Sequence, residues 1–250
     1  MLPVVAAYAA LCVGLHSAAA RRLPKGPFGS FLLPNLFVAA AHAAILFLLA
    51  ASRLAPRVRL SALLTPFSRA SLEALLPLEP STDVAAMQTP EVVAASVLLG
   101  YLLYDTGAVA GGHASGGVAL MLHHGLGAAL WSAMLASRCG GVYISWVHLA
   151  EGSTPFLHAC SAMHKIGGYE GSRTFSFCAA ALLVTFFLLR VLSAPLCFAS
   201  VVRHRAAWPS QPLWAFAAAV SAFFVALNWF WFFKLAQRAR GGGKRARKVE

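Results

Sequence analysis

Seven long apolar stretches follow one another along this 250-residue chain, and each is close to the length that crosses a bilayer. A hydrocarbon core about 30 Å thick requires roughly 20 apolar residues per helix. Helices can span lipid because they satisfy their own backbone hydrogen bonds. The sequence therefore predicts an all-α fold, a polytopic transmembrane helical bundle of about seven helices.

The bundle is predicted to occupy most of the chain. The spans are placed at residues 3–20, 31–50, 91–110, 116–137, 141–163, 175–200 and 213–235. We divide the chain into an N-terminal helix with a basic loop (1–30), a helical membrane domain (31–236) and a basic tail (237–250). Between the second and third spans, residues 60–76 could form a helix on the membrane surface or an irregular loop.

The charged residues lie mainly outside the apolar stretches. Only 11% of the residues are charged, against about a quarter in soluble domains, yet the net charge is +12. Basic groups beside anionic lipid headgroups explain this distribution better than nucleic-acid binding, which is not predicted. The Lys and Arg distribution predicts a cytosolic C-terminus. Arg53, Arg57 and Arg59 count against that orientation.

The cysteines give no support to a disulfide framework or a metal site. Four of the five fall within apolar stretches, and none forms a CxxC pair. Buried thiols that pack as small apolar side chains are the expected role. No HExxH motif occurs either, so no metal and no bound cofactor are predicted.

Several ionisable residues interrupt the apolar stretches, where each needs a partner, so they are candidates for function. Asp105 closes the third span, His123 and His124 open the fourth, and Glu151 lies in the fifth. Histidine titrates near neutrality, and a carboxylate can orient its ring and raise its basicity. These four residues are the predicted catalytic group. The predicted substrate-binding residues are Tyr104, His148, Asn228 and His42, of which His42 and Asn228 could instead be interhelical hydrogen-bond partners.

An ordered set of motifs resembles the TLC domain family, which includes ceramide synthases. The motifs are LFVAAAHA around His42, YLLYDT ending at Asp105 and Thr106, LHHG at His123 and His124, EGSTPFLHA from Glu151, and LNWFWFFK from Asn228. The resemblance covers about residues 35 to 235, and residues 31–236 are accordingly predicted to form a TLC-type domain with six core helices.

The resemblance implies a multi-pass protein of the endoplasmic reticulum or another endomembrane, acting in sphingolipid or phospholipid metabolism or homeostasis. In ceramide synthases a double histidine is needed to transfer a fatty acyl group from acyl-CoA to a sphingoid base, and His123 and His124 match that pair. Membrane lipids, acyl-CoA as co-substrate and a sphingoid base are the implied partners. Ceramide synthases carry a later His-Asp and a further Asp, whereas this chain has only His148 and Glu151 there.

Two other classes of function remain open from the sequence. A non-catalytic cargo receptor or chaperone would use the same polar groups for partner binding, and Arg247 and Lys248 near the C-terminus resemble a retrieval signal. A transporter would line a pathway with them, although no inverted repeat is evident. A homo-oligomer is possible, but the oligomeric state is not readable from the sequence.

Overall fold

The computed structural model describes residues 2–22, 32–54, 86–110, 117–169 and 171–246, and all regular elements within these ranges are helical. The α-helices are α1 (Leu2–Arg22), α2 (Leu32–Leu54), α3 (Thr89–Ala110), α4 (Val118–Ser137), α5 (Gly141–Leu149), α6 (Thr154–Ile166), α7 (Arg173–Phe186), α8 (Ser193–Arg203) and α9 (Gln211–Ala246). Six helical stretches in these ranges are long and apolar enough to cross a membrane. The prediction of an all-α, polytopic bundle is confirmed, whereas residues 60–76 lie outside the described residues.

The fifth predicted span is not one continuous helix. It consists of α5, a 3₁₀ turn at Ala150–Ser153, and α6. Pro155 lies in the first turn of α6, where its missing N–H breaks no helical hydrogen bond. A Cβ atom at Gly152 would lie 2.6 Å from Phe47 and 2.8 Å from Leu189, so the turn packs closely between two neighbouring segments. The break places Glu151 in the interior of the bundle, between two short helices.

The sixth predicted span is also irregular, because a π-helical segment, Phe187–Leu192, joins α7 to α8. Pro195 follows within α8 and has no N–H to donate to the carbonyl of Val191. A π turn changes the register of the helix at this point and is a common feature of functional sites. Arg190 lies within the segment.

The N-terminal helix packs directly against α3, the helix that carries Asp105. Gly100 makes this close approach possible, because a Cβ atom there would lie 2.6 Å from the carbonyl oxygen of Val5. Helix α2 contacts α1, α5 and α6. Its last turn carries Arg53, which forms an ion pair with the buried Glu91 at the start of α3. The first two helices are therefore integral to the bundle.

The main apolar core fills one end of the bundle, where α4 ends, α5 begins and α8 meets α9. Its buried members include Leu98, Leu130, Trp131, Met134, Tyr143, Ile144, Val201, Trp208 and Val220. The opposite end holds a cavity that extends to the end of α3, the start of α4, the last turn of α6 and the segment of α9 up to Arg238. The bundle is thus solid at one end and hollow at the other.

Candidate functional site

The cavity has a volume of about 630 Å³, within the range of small-molecule sites. Its walls include the aromatic side chains of Trp131, Trp146, Phe186, Phe224, Phe230 and Trp231. The histidine, carboxylate and basic side chains in the lining are those of His42, Asp105, His123, His124, Glu151, His158, Lys165, Arg190, Lys234 and Arg238. Mostly apolar walls with a few polar groups suit a ligand that is largely hydrocarbon.

Asp105 lies near the end of α3 and His124 near the start of α4, and the two side chains lie close together. Nε2 of His124 lies 3.5 Å from Oδ2 of Asp105, and both side chains are buried. On the other ring edge, Nδ1 of His124 lies 3.5 Å from Oγ1 of Thr106. The Nδ2 group of Asn35 in α2 donates to Oδ1 of Asp105 at 3.2 Å. One carboxylate oxygen is therefore held by an amide, and the other faces the imidazole.

His123 occupies a different environment from its neighbour. Its ring packs against Phe224 and Trp231 of α9, with ring centroids 4.9 and 5.4 Å away. Its Nδ1 atom is buried and makes no hydrogen bond with any described residue. An unpaired polar atom in an apolar wall is costly unless a ligand or water satisfies it. Consecutive helical residues point about 100° apart, which explains why one histidine meets α3 and the other α9.

Glu151 pairs with Arg190 of the π segment. Nη2 of Arg190 lies 3.2 Å from Oε1 of Glu151 and donates to Oγ1 of Thr154 at 2.9 Å. Nε of Arg190 donates to Oγ of Ser153 at 2.9 Å, and Thr154 donates to Oε2 of Glu151 at 2.8 Å. Between the two acids predicted to orient a histidine, Asp105 is the one that faces His124.

The predicted substrate-binding residues separate into two groups. His42 and Asn228 line the cavity. Nδ1 of His42 also shares a hydrogen bond of 2.9 Å with the hydroxyl of Tyr8. The His42 ring stacks on that of Tyr101, with ring centroids 3.9 Å apart. Tyr104 instead bonds Nδ1 of His16 in α1 at 2.7 Å, and His148 is buried with 1% exposure; neither belongs to the cavity lining.

The structure adds residues that the sequence pattern does not single out. In the sequence Arg190 is only a charge inside an apolar span, and its partner is visible only once the turn at Glu151 is placed. Asn35 gives no signal, because its role depends on contact with Asp105. His16 and His158 lie near the ends of predicted spans, where solvated or interfacial side chains are expected. In the structure His16 is buried and His158 lines the cavity.

The polar side chains of the cavity carry imidazole, carboxylate, amide, hydroxyl and basic groups. Among the side chains that the structure describes, no group of three or more His, Cys, Asp and Glu residues is arranged to hold a metal ion. The imidazole and carboxylate groups can supply acid–base catalysis, and the charged groups can bind polar or charged parts of a ligand.

Comparison with known proteins places the chain in a family. The family model for the TLC domain matches residues 75–237, more than half of the chain. No curated protein and no solved structure gave a match. The matched residues include Asp105, the double histidine, Glu151 and Arg190. All of these except Glu151 lie in helical stretches long and apolar enough to cross a membrane. The chain is a multi-pass membrane protein and belongs to the TLC domain family.

Proposed function

We propose that this protein acts on membrane lipids, binding an acyl chain in the cavity and transferring a fatty acyl group from acyl-CoA to a lipid amine of the sphingoid-base class. One observation carries the proposal: His124 faces the carboxylate of Asp105 inside a cavity whose walls are largely apolar and aromatic. A base held by a buried acid beside a hydrocarbon-sized space suits proton transfer on a lipid.

His124 has the geometry of a general base. Its Nε2–H would donate to Asp105, which leaves the lone pair of Nδ1 to accept a proton. Thr106 is close to Nδ1 at 3.5 Å, a weak contact that an incoming amine can replace. Asn35 fixes the other oxygen of Asp105 and so restrains the carboxylate. Asp105 is accordingly a positioning residue, and His124 is the catalytic one.

The chemical step conserves atoms and protons. The amine nitrogen attacks the thioester carbon, a C–N bond forms, and the C–S bond breaks. Nδ1 of His124 takes the proton that the nitrogen loses and returns it to the departing CoA sulfur. A ring N–H of His123, beside Trp231, would donate a hydrogen bond to the thioester oxygen as negative charge develops on it.

The cellular setting follows from where the substrates come from. We place the protein in the endoplasmic reticulum or a related endomembrane, with the tail and the hollow end of the bundle facing the cytosol. Acyl-CoA is water-soluble at its nucleotide end, so its thioester reaches the histidines from that side while the chains stay in lipid. Arg247 and Lys248, the retrieval-like residues, lie outside the described residues.

The test uses sealed microsomes that express equal amounts of folded protein, supplied externally with labelled acyl-CoA and a sphingoid base. Wild type should place label in ceramide or another N-acylated lipid. His124→Ala should lower the initial rate by about 10² to 10⁴-fold, the usual contribution of a general base. Activity in sealed microsomes without detergent would also agree with a hollow end that faces the cytosol, because externally added acyl-CoA reaches only that side.

The matched control is His204→Ala. His204 lies at the end of α8, where its Nδ1 contacts Ser200, and it does not line the cavity. It should retain the wild-type rate. Absence of label from every N-acylated lipid with intact wild-type protein would overturn the proposal, and so would equal loss in both variants.

A further inference from the structure

Three cations lie at the hollow end of the bundle and line the cavity there: Lys165 in the last turn of α6, and Lys234 and Arg238 in α9. Lys234 and Arg238 are four residues apart, which places them on one face of the helix. Both are exposed, and neither forms an ion pair with a described residue. These three residues are called the cationic rim.

Carboxylates in the described residues are paired elsewhere. Glu91 pairs with Arg53 at the far end of the bundle, and Glu151 pairs with Arg190. Asp105 faces His124 and accepts from Asn35. Lys234 and Arg238 thus carry positive charge at the mouth of the cavity that no described carboxylate pairs with, which favours an anionic group on whatever enters.

The rim lies a short distance from the double histidine. Trp231 packs against the ring of His123. Lys234 and Arg238 follow Trp231 by three and seven residues, which at 1.5 Å per residue is about 4.5 and 10 Å along the axis. Their side chains lean back toward the start of the helix and so shorten the separation from His123.

This spacing distinguishes two sources of phosphate. In a phospholipid or a phosphorylated sphingoid base, four or five bonds of about 1.5 Å separate the ester carbon or the amine from the phosphorus, a span of roughly 5 to 6 Å. In acyl-CoA about fourteen bonds separate the thioester from the nearest phosphate, a span of roughly 17 Å. The rim matches the first span directly, whereas acyl-CoA could bring its phosphate there only with its pantetheine arm folded back on itself.

We propose that the lipid held in the cavity carries a phosphate, and that Lys165, Lys234 and Arg238 bind this phosphate while the chain lies between the aromatic walls. The inference goes beyond the proposed function, because a phosphate-bearing lipid is a different ligand from the unphosphorylated sphingoid base of the acyl-transfer assay, and it does not depend on that function. The binding itself requires no turnover.

The experiment measures lipid binding to the purified full-length protein by native mass spectrometry from detergent. Phosphatidic acid and diacylglycerol with identical chains form the ligand pair, since they differ only in the phosphate. Wild type should bind phosphatidic acid about tenfold or more tightly than diacylglycerol, as expected for several basic groups around one phosphate. Lys234→Gln combined with Arg238→Gln should remove most of that preference and leave diacylglycerol binding unchanged.

The control removes two charges at the same end of the bundle but outside the cavity. Arg22 ends α1 and Arg173 begins α7; both are exposed, and neither lines the cavity. Arg22→Gln combined with Arg173→Gln should keep the preference for phosphatidic acid. Equal loss in this control would overturn the proposal in favour of general surface electrostatics.

Competition separates the two sources of phosphate. Free CoA and inorganic phosphate should not displace phosphatidic acid from wild type. Displacement by CoA that depends on Lys234 and Arg238 would overturn the lipid assignment in favour of a water-borne nucleotide. If the protein shows no preference for phosphatidic acid but still places label in N-acylated lipids, the phosphate site is wrong and acyl transfer stands. If the preference is present but no label appears, the phosphate site stands and acyl transfer is wrong.

Discussion

Two acid–base pairs line the same cavity, and they are held very differently. Arg190 and Glu151, which are partly buried, are joined to each other and to Ser153 and Thr154 by contacts of 2.8 to 3.2 Å. His124 and Asp105, which are buried, stand 3.5 Å apart, and Asn35 supplies the carboxylate with a single further bond. The first pair is therefore held by more and shorter hydrogen bonds than the second.

The difference indicates what each pair does. A network of several short hydrogen bonds fixes one arrangement of its surroundings, and this one ties the break in the fifth span to the π segment. A loosely held pair leaves a nitrogen lone pair and a carboxylate oxygen able to meet a ligand, as catalytic hydrogen bonds often tighten only when substrate is bound. We infer that Arg190 and Glu151 hold the fold, and that His124 and Asp105 perform chemistry.

Breaking the Arg190–Glu151 pair should have the largest effect. Arg190→Met leaves the partly buried carboxylate of Glu151 without its cation, which we expect to lower stability by about 3 kcal/mol, the lower end of the range for a fully buried pair. Thermal unfolding in a single detergent measures the loss. Adding Glu151→Gln to the same chain should restore most of it, because the uncompensated charge is then gone. Wild-type stability in the Arg190→Met variant would contradict the structural role.

Much of the fold was predictable from the sequence, because a run of about 20 apolar residues has few alternatives to a membrane helix. The closeness of Asp105 to His124 was predictable too, since the connection between the third and fourth spans brings their ends to one face of the membrane. The partner of Arg190 was not. It depends on the 3₁₀ turn at Ala150–Ser153, whose tight packing around Gly152 leaves no periodic pattern in the sequence.

The loosely held pair should affect activity more than stability. Asp105→Asn keeps the shape of the side chain but removes the charge that would stabilise a protonated His124. We expect the acyl-transfer rate in the microsome assay to fall about 30-fold, equivalent to about 2 kcal/mol of transition-state stabilisation. The unfolding temperature should change little. A large fall in stability with normal activity per folded molecule would show that Asp105 belongs with the structural pair.

The smallest and sharpest comparison removes one neutral partner from each carboxylate. Thr154→Val deletes the hydroxyl that bonds both Glu151 and Arg190, while Asn35→Ala deletes the amide that bonds Asp105. Each change should cost on the order of 1 kcal/mol, the net value of one hydrogen bond, but in different measurements. For Thr154→Val the loss should appear in the unfolding temperature. For Asn35→Ala it should appear mainly as a several-fold lower rate, because Asp105 is then free to turn away from His124. If the two variants lose stability and rate in the same proportion, the two pairs act as one network, and the separation of structural from catalytic roles is wrong.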